Sequence, residues 1–225
     1  IEVVMHVSIA SSLAIIVFTS ISSIRSHFKL NNIDKYVIKR WFPGVIIGSL
    51  LGSFLASEIN GKVLVIIFIS LAFLISINMF FQKKIKTLQN DIPTSSLKNY
   101  LISGSIGFLS SLIGIGGGSF SVPTLSVFSK KIHRAVGTSS VLGFFIAFPG
   151  AISYIILGKN VENLPDYSFG YVNLLIVLLV TSTSIFTANI GARISSKINK
   201  DSLKKIFAIF LLFTCISLVI EHFII

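Results

Sequence analysis

The sequence predicts an all-α fold: a polytopic bundle of transmembrane helices, built from inverted repeats around a broken, re-entrant segment rich in glycine. Composition is the first observation. Of the 225 residues, 53% are hydrophobic and only 12% are charged, whereas soluble domains carry roughly 25% charged residues. The second observation is that the apolar residues form seven long runs. The third is that glycines interrupt one of these runs, 99–127, near its middle.

Most of the runs are close to the ~20 residues that a helix needs to cross about 30 Å of hydrocarbon. They are 3–24, 41–57, 62–81, 99–127, 135–157, 171–190 and 203–224. In the second run, Gly44, Gly48 and Gly52 recur every four residues, which predicts a flat helix face for close packing. Tyr36 and Trp41 stand at its start, where an interfacial aromatic belt is expected.

The run 99–127 has no charged residue, so it belongs in a bilayer. Its glycines, followed by Pro123, are expected to break any helix formed there. Unwound backbone is stable at membrane depth only where protein buries it or where it lines a polar cavity. The run therefore predicts a transport site rather than a passive anchor.

The formal net charge of +11 would indicate nucleic-acid binding in a soluble protein. In this chain the basic residues occupy short segments between apolar runs, where they set membrane orientation. We therefore expect the lipid bilayer as a partner and no nucleic acid. The proportions of Ile, Lys, Asn and Phe are compatible with a bacterial source.

The charges of the connecting segments predict the topology. Segments 25–40, 82–98, 128–134 and 191–205 carry +4, +3, +3 and +4, whereas 58–62 and 158–170 carry 0 and −1. Seven simple crossings would mix both kinds on each side, against the positive-inside rule. If 99–127 enters and leaves on one face, all four basic segments share a side. We expect that side to be cytoplasmic, in a multi-pass protein of the bacterial inner membrane.

Two internal similarities predict a repeat. The stretch His6–Ser12 resembles His133–Ser139, and Gly52–Asn60 resembles Gly191–Asn199. The expected organisation is a first repeat at 1–85, a basic linker at 86–98, and a second repeat at 99–225. Matching helices would run in opposite directions, as in the inverted repeats of secondary transporters. The counterpart of the glycine segment is expected upstream of residue 1.

The stretch GFLSSLIGIGGGSFSVPTLSVF, followed by HRAVGTSSV, resembles the signature of the sulfite exporter TauE/SafE family of membrane transporters. The matching elements are Gly114–Gly118, Pro123–Leu125 and Ala135–Ser139. The first half resembles the family's other repeat, with Ser11-Ser12 at the Thr-Ser position and Trp41–Gly44 in the next helix. The resemblance covers essentially the whole chain, except that the family's first glycine element is absent.

The resemblance implies a secondary carrier that exports or exchanges small anions, namely sulfite, related sulfur oxyanions or organosulfonates. Alternating access would be its mechanism. No Walker motif is present, because Gly114–Gly118 is not followed by Lys and Ser or Thr. Cys215 is the only cysteine, which excludes a disulfide or a zinc cluster of cysteines. We expect no enzymatic activity, no metal and no cofactor.

An anion within the membrane needs hydrogen-bond donors, and backbone N–H groups at a broken helix end supply them. Glycine lets the anion approach that backbone closely. Hydroxyl and amide side chains near the break could add donors. The expected substrate-binding residues are Gly114, Gly116, Gly117, Gly118, Ser119, Pro123, Thr138, Ser139, Ser140, Ser11, Ser12 and Asn189.

Each of these residues also has a structural interpretation. The glycines could serve helix packing alone, the hydroxyls could bond within their own helices, and Asn189 could join two helices. Two other functions stay open: a non-transporting scaffold subunit, or an intramembrane hydrolase using a serine with His133 or His222. The hydrolase is disfavoured because both histidines lie at the ends of runs. The oligomeric state is open, with a homodimer as one option.

Overall fold

The computed structural model describes residues 2–81, 91–128 and 132–220. These residues form eight helices and one two-stranded hairpin. The helices are α1 (Glu2–Lys29), α2 (Lys35–Glu58), α3 (Gly61–Phe81), α4 (Ser96–Ile113), α5 (Gly118–Val127), α6 (Ile132–Leu157), α7 (Leu174–Lys197) and α8 (Lys200–Val219). The strands β1 (Ser168–Phe169) and β2 (Val172–Asn173) pair antiparallel just before α7. The helical membrane bundle predicted from the sequence is confirmed.

Hydrophobic length agrees with a membrane protein. Three helices are long and apolar enough to cross a bilayer: Val3–Lys29, Lys35–Glu58 and His133–Leu157. Three further helices contain shorter apolar stretches, Gly61–Ile77, Leu174–Ala188 and Ala208–Val219. The predicted run 171–190 ends too early, because α7 continues to Lys197. Hydropathy decays at the first charged residue, whereas backbone hydrogen bonding carries the helix several residues further.

Helix directions follow from a few contacts between named residues. The Nε2 atom of His6 lies 3.0 Å from the carbonyl oxygens of both Ala56 and Ile59, so the start of α1 meets the end of α2. Helices α1 and α2 are therefore antiparallel. The backbone N–H of Asn173 donates to the Ser11 Oγ at 2.9 Å. Further along, the Ser22 hydroxyl donates to the carbonyl of Ile185, so α7 runs parallel to α1.

Helix α6 runs parallel to α2. At the start of both helices, the Thr138 Oγ1 accepts a hydrogen bond from the backbone N–H of Asp34. Nearer the middle, the Ser49 hydroxyl donates to the carbonyl of Ile146 at 2.6 Å. Helix α8 runs antiparallel to α3, as the hydrogen bond from the Ser76 hydroxyl to the carbonyl of Ala208 indicates together with the contact between Cys215 and Ile69 further along.

These directions put the basic connections at one end of the bundle, here called the basic end. Residues 30–34, 91–95 and 198–199 lie there, and 59–60 and 158–173 lie at the opposite end. Helix α4 begins at the basic end, where Asn99 bonds to Trp41. Helix α5 returns to it, because Phe128 packs in the same apolar cluster as Trp41 and Val37. The glycine segment thus enters and leaves by the same end, as the charge pattern predicts.

The glycine face of α2 packs directly on α4. A Cβ added at Gly48 would lie 2.1 Å from the carbonyl oxygen of Gly104, and one at Gly52 would lie 2.3 Å from that of Phe108. Only hydrogen fits between the two backbones, so the predicted close packing is confirmed. Helices α2 and α4 are parallel, because successive glycines of α2 meet successively later residues of α4.

Trp41 does not belong to an interfacial aromatic belt, and that prediction is wrong. Its side chain is fully buried, and its Nε1–H donates to the Asn99 Oδ1 at 2.8 Å. The buried amide of Asn99 gives the indole the hydrogen-bond acceptor that a buried tryptophan requires. Tyr36, one turn earlier, is 47% exposed and carries the guanidinium of Arg40 4.9 Å from its ring centroid.

The first and last residues of helices in the first half of the chain recur at constant spacings in the second half. Adding 139 to the first and last residues of α2 gives those of α7, and adding 139 to Gly61, the first residue of α3, gives the first residue of α8. Adding 127 to Lys29, the last residue of α1, falls one residue before the last residue of α6. The similarities that the sequence contains at 6–12 and 52–60 have these same spacings.

Candidate functional site

The break between α4 and α5 begins at Gly114. This residue ends α4 in the left-handed conformation with φ 68°, and its N–H donates to the carbonyl of Ser110. The N–H of Ile115 donates to the same carbonyl at 3.1 Å, so the 5→1 bond of an αL helix end is accompanied by the 6→1 bond of a Schellman motif. A Cβ at Gly114 would also lie 2.9 Å from the Cα of Ile9. Backbone conformation and packing therefore both require glycine at this position.

Helix α5 begins with donors that have no acceptor. Its first intrahelical hydrogen bond joins the N–H of Ser121 to the carbonyl of Gly117 at 2.8 Å. Gly117 is the N-cap residue and supplies no side chain to bond the first turn. Within the described residues, the backbone N–H groups of Gly117, Gly118, Ser119 and Phe120 meet no acceptor. An N-terminus of this kind carries partial positive charge and favours a negatively charged ligand.

The break lies between α1 and α6. The Ser12 hydroxyl donates to the carbonyl of Gly114 at 2.8 Å, which ties the break to α1. A Cβ at Gly116 would touch the side chain of Ile16 at 3.4 Å, and one at Gly117 would lie 2.7 Å from the Ile146 Cδ1. Gly118 differs, because a Cβ there would meet no atom within 4 Å. Open space therefore borders the first residue of α5.

Two buried hydroxyls flank the break, and neither belongs to the predicted site residues. The Oγ of Ser110, on the last turn of α4, and the Oγ of Ser121, on the first full turn of α5, are inaccessible and have no partner within the described residues. A buried polar group without a partner is unfavourable. Ser110 and Ser121 thus add polar groups without partners to either side of the unpaired amides.

Pro123 lies inside α5 and does not end it, so the prediction that it breaks the helix is wrong. Proline removes a single hydrogen bond, the one its N–H would have made to the carbonyl of Ser119. The next residues stay helical, and the Thr124 hydroxyl donates to the carbonyl of Phe120. Pro123 is partly buried and lies three residues after Phe120, the last residue whose amide is unpaired.

Ser11 and Thr138, two of the predicted site residues, connect helices. The Thr138 Oγ1 accepts from the N–H of Asp34, whose carboxylate caps the start of α2 by accepting from Tyr36 and Val37. The Ser11 Oγ accepts from the N–H of Asn173, whose side chain caps the start of α7 by accepting from Ile176. About 7.5 Å of helix rise separates Thr138 from Gly143, the α6 residue beside the break.

The remaining predicted residues divide between local bonds and an undescribed side chain. The hydroxyls of Ser139 and Ser140 donate to the carbonyls of Val136 and Gly137 in their own helix. Asn189 lies in α7, and its side chain is outside the described part of the structure. The structure therefore brings Ser12 together with the glycines of the break, and it leaves Thr138, Ser139 and Ser140 nearer the start of α6.

Three hydrogen bonds between buried polar groups link helices close to the break. The Tyr154 hydroxyl donates to the carbonyl of Ser111, the Ser111 hydroxyl donates to the carbonyl of Ser49, and the Ser49 hydroxyl donates to that of Ile146. These bonds join α6, α4 and α2, and Ser111 lies three residues before Gly114. In the sequence, the signal for these bonds was Ser49, which follows Gly48 and which helical spacing therefore places beside the glycine face of α2.

At the opposite end, aromatic side chains cover the bundle. The ring of His6 stacks on that of Tyr171, with centroids 5.1 Å apart, and Tyr154 meets Tyr171 edge-on at 6.2 Å. Burial, and secondarily the carboxylate of Glu58, raise the pKa of the Tyr171 phenol, because both disfavour a phenolate. Tyr171 is therefore neutral at physiological pH, and the rings of His6, Tyr154 and Tyr171 form an aromatic layer at this end.

The described residues hold no cluster of three or more His, Cys, Asp or Glu side chains that could bind a metal ion. What the break offers is backbone amides and hydroxyls, arranged around an interrupted helix in an apolar bundle. This architecture is that of a polytopic helical membrane protein with a broken-helix site, the class to which secondary transporters belong.

The chain belongs to the family described as "Sulfite exporter TauE/SafE", which it matches over residues 1–218. A "Probable membrane transporter protein" of Haemophilus influenzae is 32% identical over 224 residues, covering 98% of this chain and 83% of the relative. The probable membrane transporter protein YunE of Bacillus subtilis is 28% identical over 240 residues, covering 98% and 83%. MJ0441 of Methanocaldococcus jannaschii, also named a probable membrane transporter, is 31% identical over 206 residues, covering 88% and 73%. No solved structure matches the chain.

Proposed function

We propose that this protein is a secondary carrier that exports or exchanges small anions, with sulfite, related sulfur oxyanions or organosulfonates as the substrate class. The observation that carries the proposal is the start of α5 beside the break, where the backbone N–H groups of Gly117, Gly118, Ser119 and Phe120 have no acceptor within the described residues. The family name adds sulfite to the candidates. In this proposal the protein is not an enzyme and needs no cofactor.

The chemistry of the break fits an oxyanion better than a cation. Backbone N–H groups and hydroxyls donate hydrogen bonds, and the N-terminus of α5 adds partial positive charge. No side-chain carboxylate stands among the described residues of α4 or α5, so nothing there would repel a negative charge. Among the described residues of α4 and α5 the only lysine or arginine is Lys98, sixteen residues before Gly114, so neither helix would trap the substrate in an ion pair at the break.

Alternating access would use the internal correspondence of the two halves. We propose that residues 1–85 and 99–225 are inverted repeats joined by the linker 86–98. The recurring helix bounds and the matching bonds from Asp34 to Thr138 and from Asn173 to Ser11 support this organisation. Rocking of one half against the other would open the break first to one side of the membrane and then to the other.

The orientation follows from charge. We propose that the basic end faces the cytoplasm of a bacterial cell and that the aromatic layer around Tyr171 faces outward. Excess lysine and arginine in short connections marks the cytoplasmic side. The predicted basic segments 82–98 and 128–134 extend in part beyond the described residues, and their charges are counted from the sequence.

Uptake by reconstituted vesicles tests the function. Purified protein is incorporated into liposomes, and accumulation of radiolabelled sulfite, thiosulfate, sulfate and a short organosulfonate is followed in parallel. We expect saturable uptake of at least one of them over protein-free vesicles. Absence of uptake for every anion, in both orientations and under both pH and sodium gradients, would reject the carrier proposal.

One substitution tests the site. Gly118→Leu would place a side chain in the open space beside the unpaired amides, where its Cβ would meet no atom within 4 Å, and we expect it to lower uptake about tenfold or more. Gly117 suits the test less well, because its Cβ would approach Ile146. The matched control is Gly191→Leu, at another helical glycine whose Cβ would meet nothing within 4 Å. Uptake by Gly118→Leu at the level of Gly191→Leu, with equal protein incorporation, would remove the break as the binding site.

A further inference from the structure

The outer surface of the bundle contains a groove between α2 and α4, here called the α2–α4 groove. Its volume is about 440 Å³, and its apolar walls include Ile47 and Leu51 of α2 and Leu101, Phe108 and Leu109 of α4. Its floor is formed where the glycines of α2 meet the backbone of α4. The only side-chain hydroxyls in the lining belong to Tyr100 and Ser105, and the lining contains no charged residue.

The groove faces away from the proposed anion site. Ile47, Leu51 and Leu101 are each more than half exposed, so the walls open towards the lipid. The Ser105 hydroxyl donates to the carbonyl of Leu101 in its own helix, so this hydroxyl is already bonded. A dry, open channel of this kind suits a hydrocarbon chain rather than a polar solute.

The length of the groove matches one leaflet. From Tyr100 to Leu109, α4 rises about 13 Å, close to half of the ~30 Å hydrocarbon thickness. The groove therefore fits an acyl chain of a lipid in the leaflet at the basic end. A transmembrane helix of a partner would need a groove of about twice this length.

Charge occurs at only one mouth of the groove. On α2, Arg40 continues the row of Gly44, Ile47 and Leu51 by one turn towards the basic end. Its Nη1 donates to the carbonyl of Thr94 at 2.6 Å, and its guanidinium lies over the ring of Tyr36. These contacts hold the positive charge in a fixed position beside the mouth.

On α4, Lys98 stands three residues before Leu101 and seven before Ser105, so all three share one side of the helix. Its side chain is exposed. Beyond Leu51, the next exposed side chains of α2 are Phe54 and Leu55, and the next charged residue along that helix is Glu58. A lipid in this groove would meet cations only at its headgroup.

We propose that the α2–α4 groove binds one acyl chain of an anionic phospholipid from the leaflet at the basic end, with its phosphate between Arg40 and Lys98. Juxtamembrane cations attract anionic headgroups, and the groove adds a fixed path for the chain. This site is separate from the proposed anion site, so either proposal can fail without the other.

Native mass spectrometry of the detergent-solubilised protein tests it. The protein is titrated with phosphatidylglycerol or with phosphatidylcholine carrying the same acyl chains, and lipid adducts are counted. Because each nearby cation favours an anionic headgroup by a factor of about five, we expect phosphatidylglycerol to bind at least about fivefold more tightly. Equal binding of the two lipids would overturn the proposal.

Two substitutions locate the binding. Ser105→Phe would fill the groove and abolish the tight adduct, whereas Ser8→Phe would leave it. Ser8 is also an exposed serine whose hydroxyl bonds four residues back in its own helix, which makes it a matched control. Lys98→Gln would weaken phosphatidylglycerol about fivefold and leave phosphatidylcholine unchanged. Lys159→Gln, at the opposite end, would change neither lipid.

Other occupants give distinct results, and each contradicts the proposal. If inorganic phosphate displaces the phosphatidylglycerol adduct, the mouth binds free anions rather than a lipid. If Ser105→Phe abolishes a dimer and leaves the lipid adducts unchanged, the groove is an interface between two copies of the chain. If the adduct persists in Ser105→Phe and the variant remains folded by circular dichroism, the lipid binds elsewhere.

Discussion

The Thr138 Oγ1 accepts a 2.9 Å hydrogen bond from the backbone N–H of Asp34, and so anchors the start of α2 on α6. The same bond, of the same length, occurs between Ser11 and Asn173, where it anchors the start of α7 on α1. Thr138 follows Ser11 by 127 residues and Asn173 follows Asp34 by 139, the spacings of the helix bounds. Polar residues that the sequence assigned to substrate binding thus have structural roles.

Loss of either link should destabilise the bundle. Thr138→Val keeps the shape of the side chain but removes the hydroxyl that accepts from the N–H of Asp34, and Ser11→Ala removes the one that accepts from the N–H of Asn173. We expect each to lower the free energy of unfolding by about 1–3 kcal/mol, measured by denaturant titration in mixed micelles. Ser140→Ala is the control, with an expected change within about 0.5 kcal/mol. A Thr138→Val variant as stable as Ser140→Ala would mean that the link contributes nothing.

Equivalent glycines of α2 and α7 should respond in opposite ways to alanine. A Cβ at Gly52 would lie 2.3 Å from the carbonyl oxygen of Phe108, so Gly52→Ala should cost about 1–3 kcal/mol of stability by overpacking. Gly191 follows Gly52 by 139 residues, and its Cβ would meet no atom within 4 Å. Gly191→Ala should stabilise α7 by up to about 1 kcal/mol. Thermal unfolding of the two variants beside the parent compares them directly, and similar shifts would contradict the α2–α4 packing.

Gly114 should tolerate no side chain. Alanine in the left-handed region costs about 1–2 kcal/mol, and its Cβ would approach the Cα of Ile9 to 2.9 Å. We expect Gly114→Ala to lower both the folded yield and the thermal midpoint. Gly104→Ala, whose Cβ would come no closer than 3.7 Å to its nearest neighbour, is the control and should behave as the parent. An unchanged midpoint for Gly114→Ala would show that α4 need not end there.

Cysteine labelling tests the re-entrant course of 99–127. In a Cys215→Ala background, single cysteines at Lys98, His133 and Asn163 all occupy exposed positions. A membrane-impermeant maleimide applied to cells and to inverted vesicles should reach the first two from one side and the third from the other. Labelling of Lys98→Cys and His133→Cys from opposite sides would exclude the re-entrant course.

The sequence predicts the features that depend on local composition. Uncharged runs locate the helices, segment charge groups the connections, and the glycines of 114–118 locate the break, because each signal is carried by neighbouring residues. The helix break expected at Pro123 was wrong, since a helix can lose one hydrogen bond and continue. Helix ends were misjudged where charged residues extend an apolar helix beyond the hydrocarbon.

Contacts between distant segments were not predictable from one sequence. Burial of Trp41 depends on Asn99, which lies 58 residues away and supplies its acceptor. Ser110 and Ser121 look like ordinary serines in apolar runs, and only the fold reveals that their hydroxyls are buried with no partner among the described residues. Ser11 and Thr138 were found through their repeat, but the partners that give them their roles belong to other helices.

The shortness of α5 has an electrical consequence. With ten residues, α5 rises about 15 Å, so the unpaired amides lie near the midpoint of a hydrocarbon layer about 30 Å thick. A monovalent ion that travels there from the basic end crosses about half of the transmembrane field. The free energy of binding this ion from the basic end would therefore shift by about 1.1 kcal/mol for each 100 mV of membrane potential. The first half of the transport cycle would itself respond to membrane voltage.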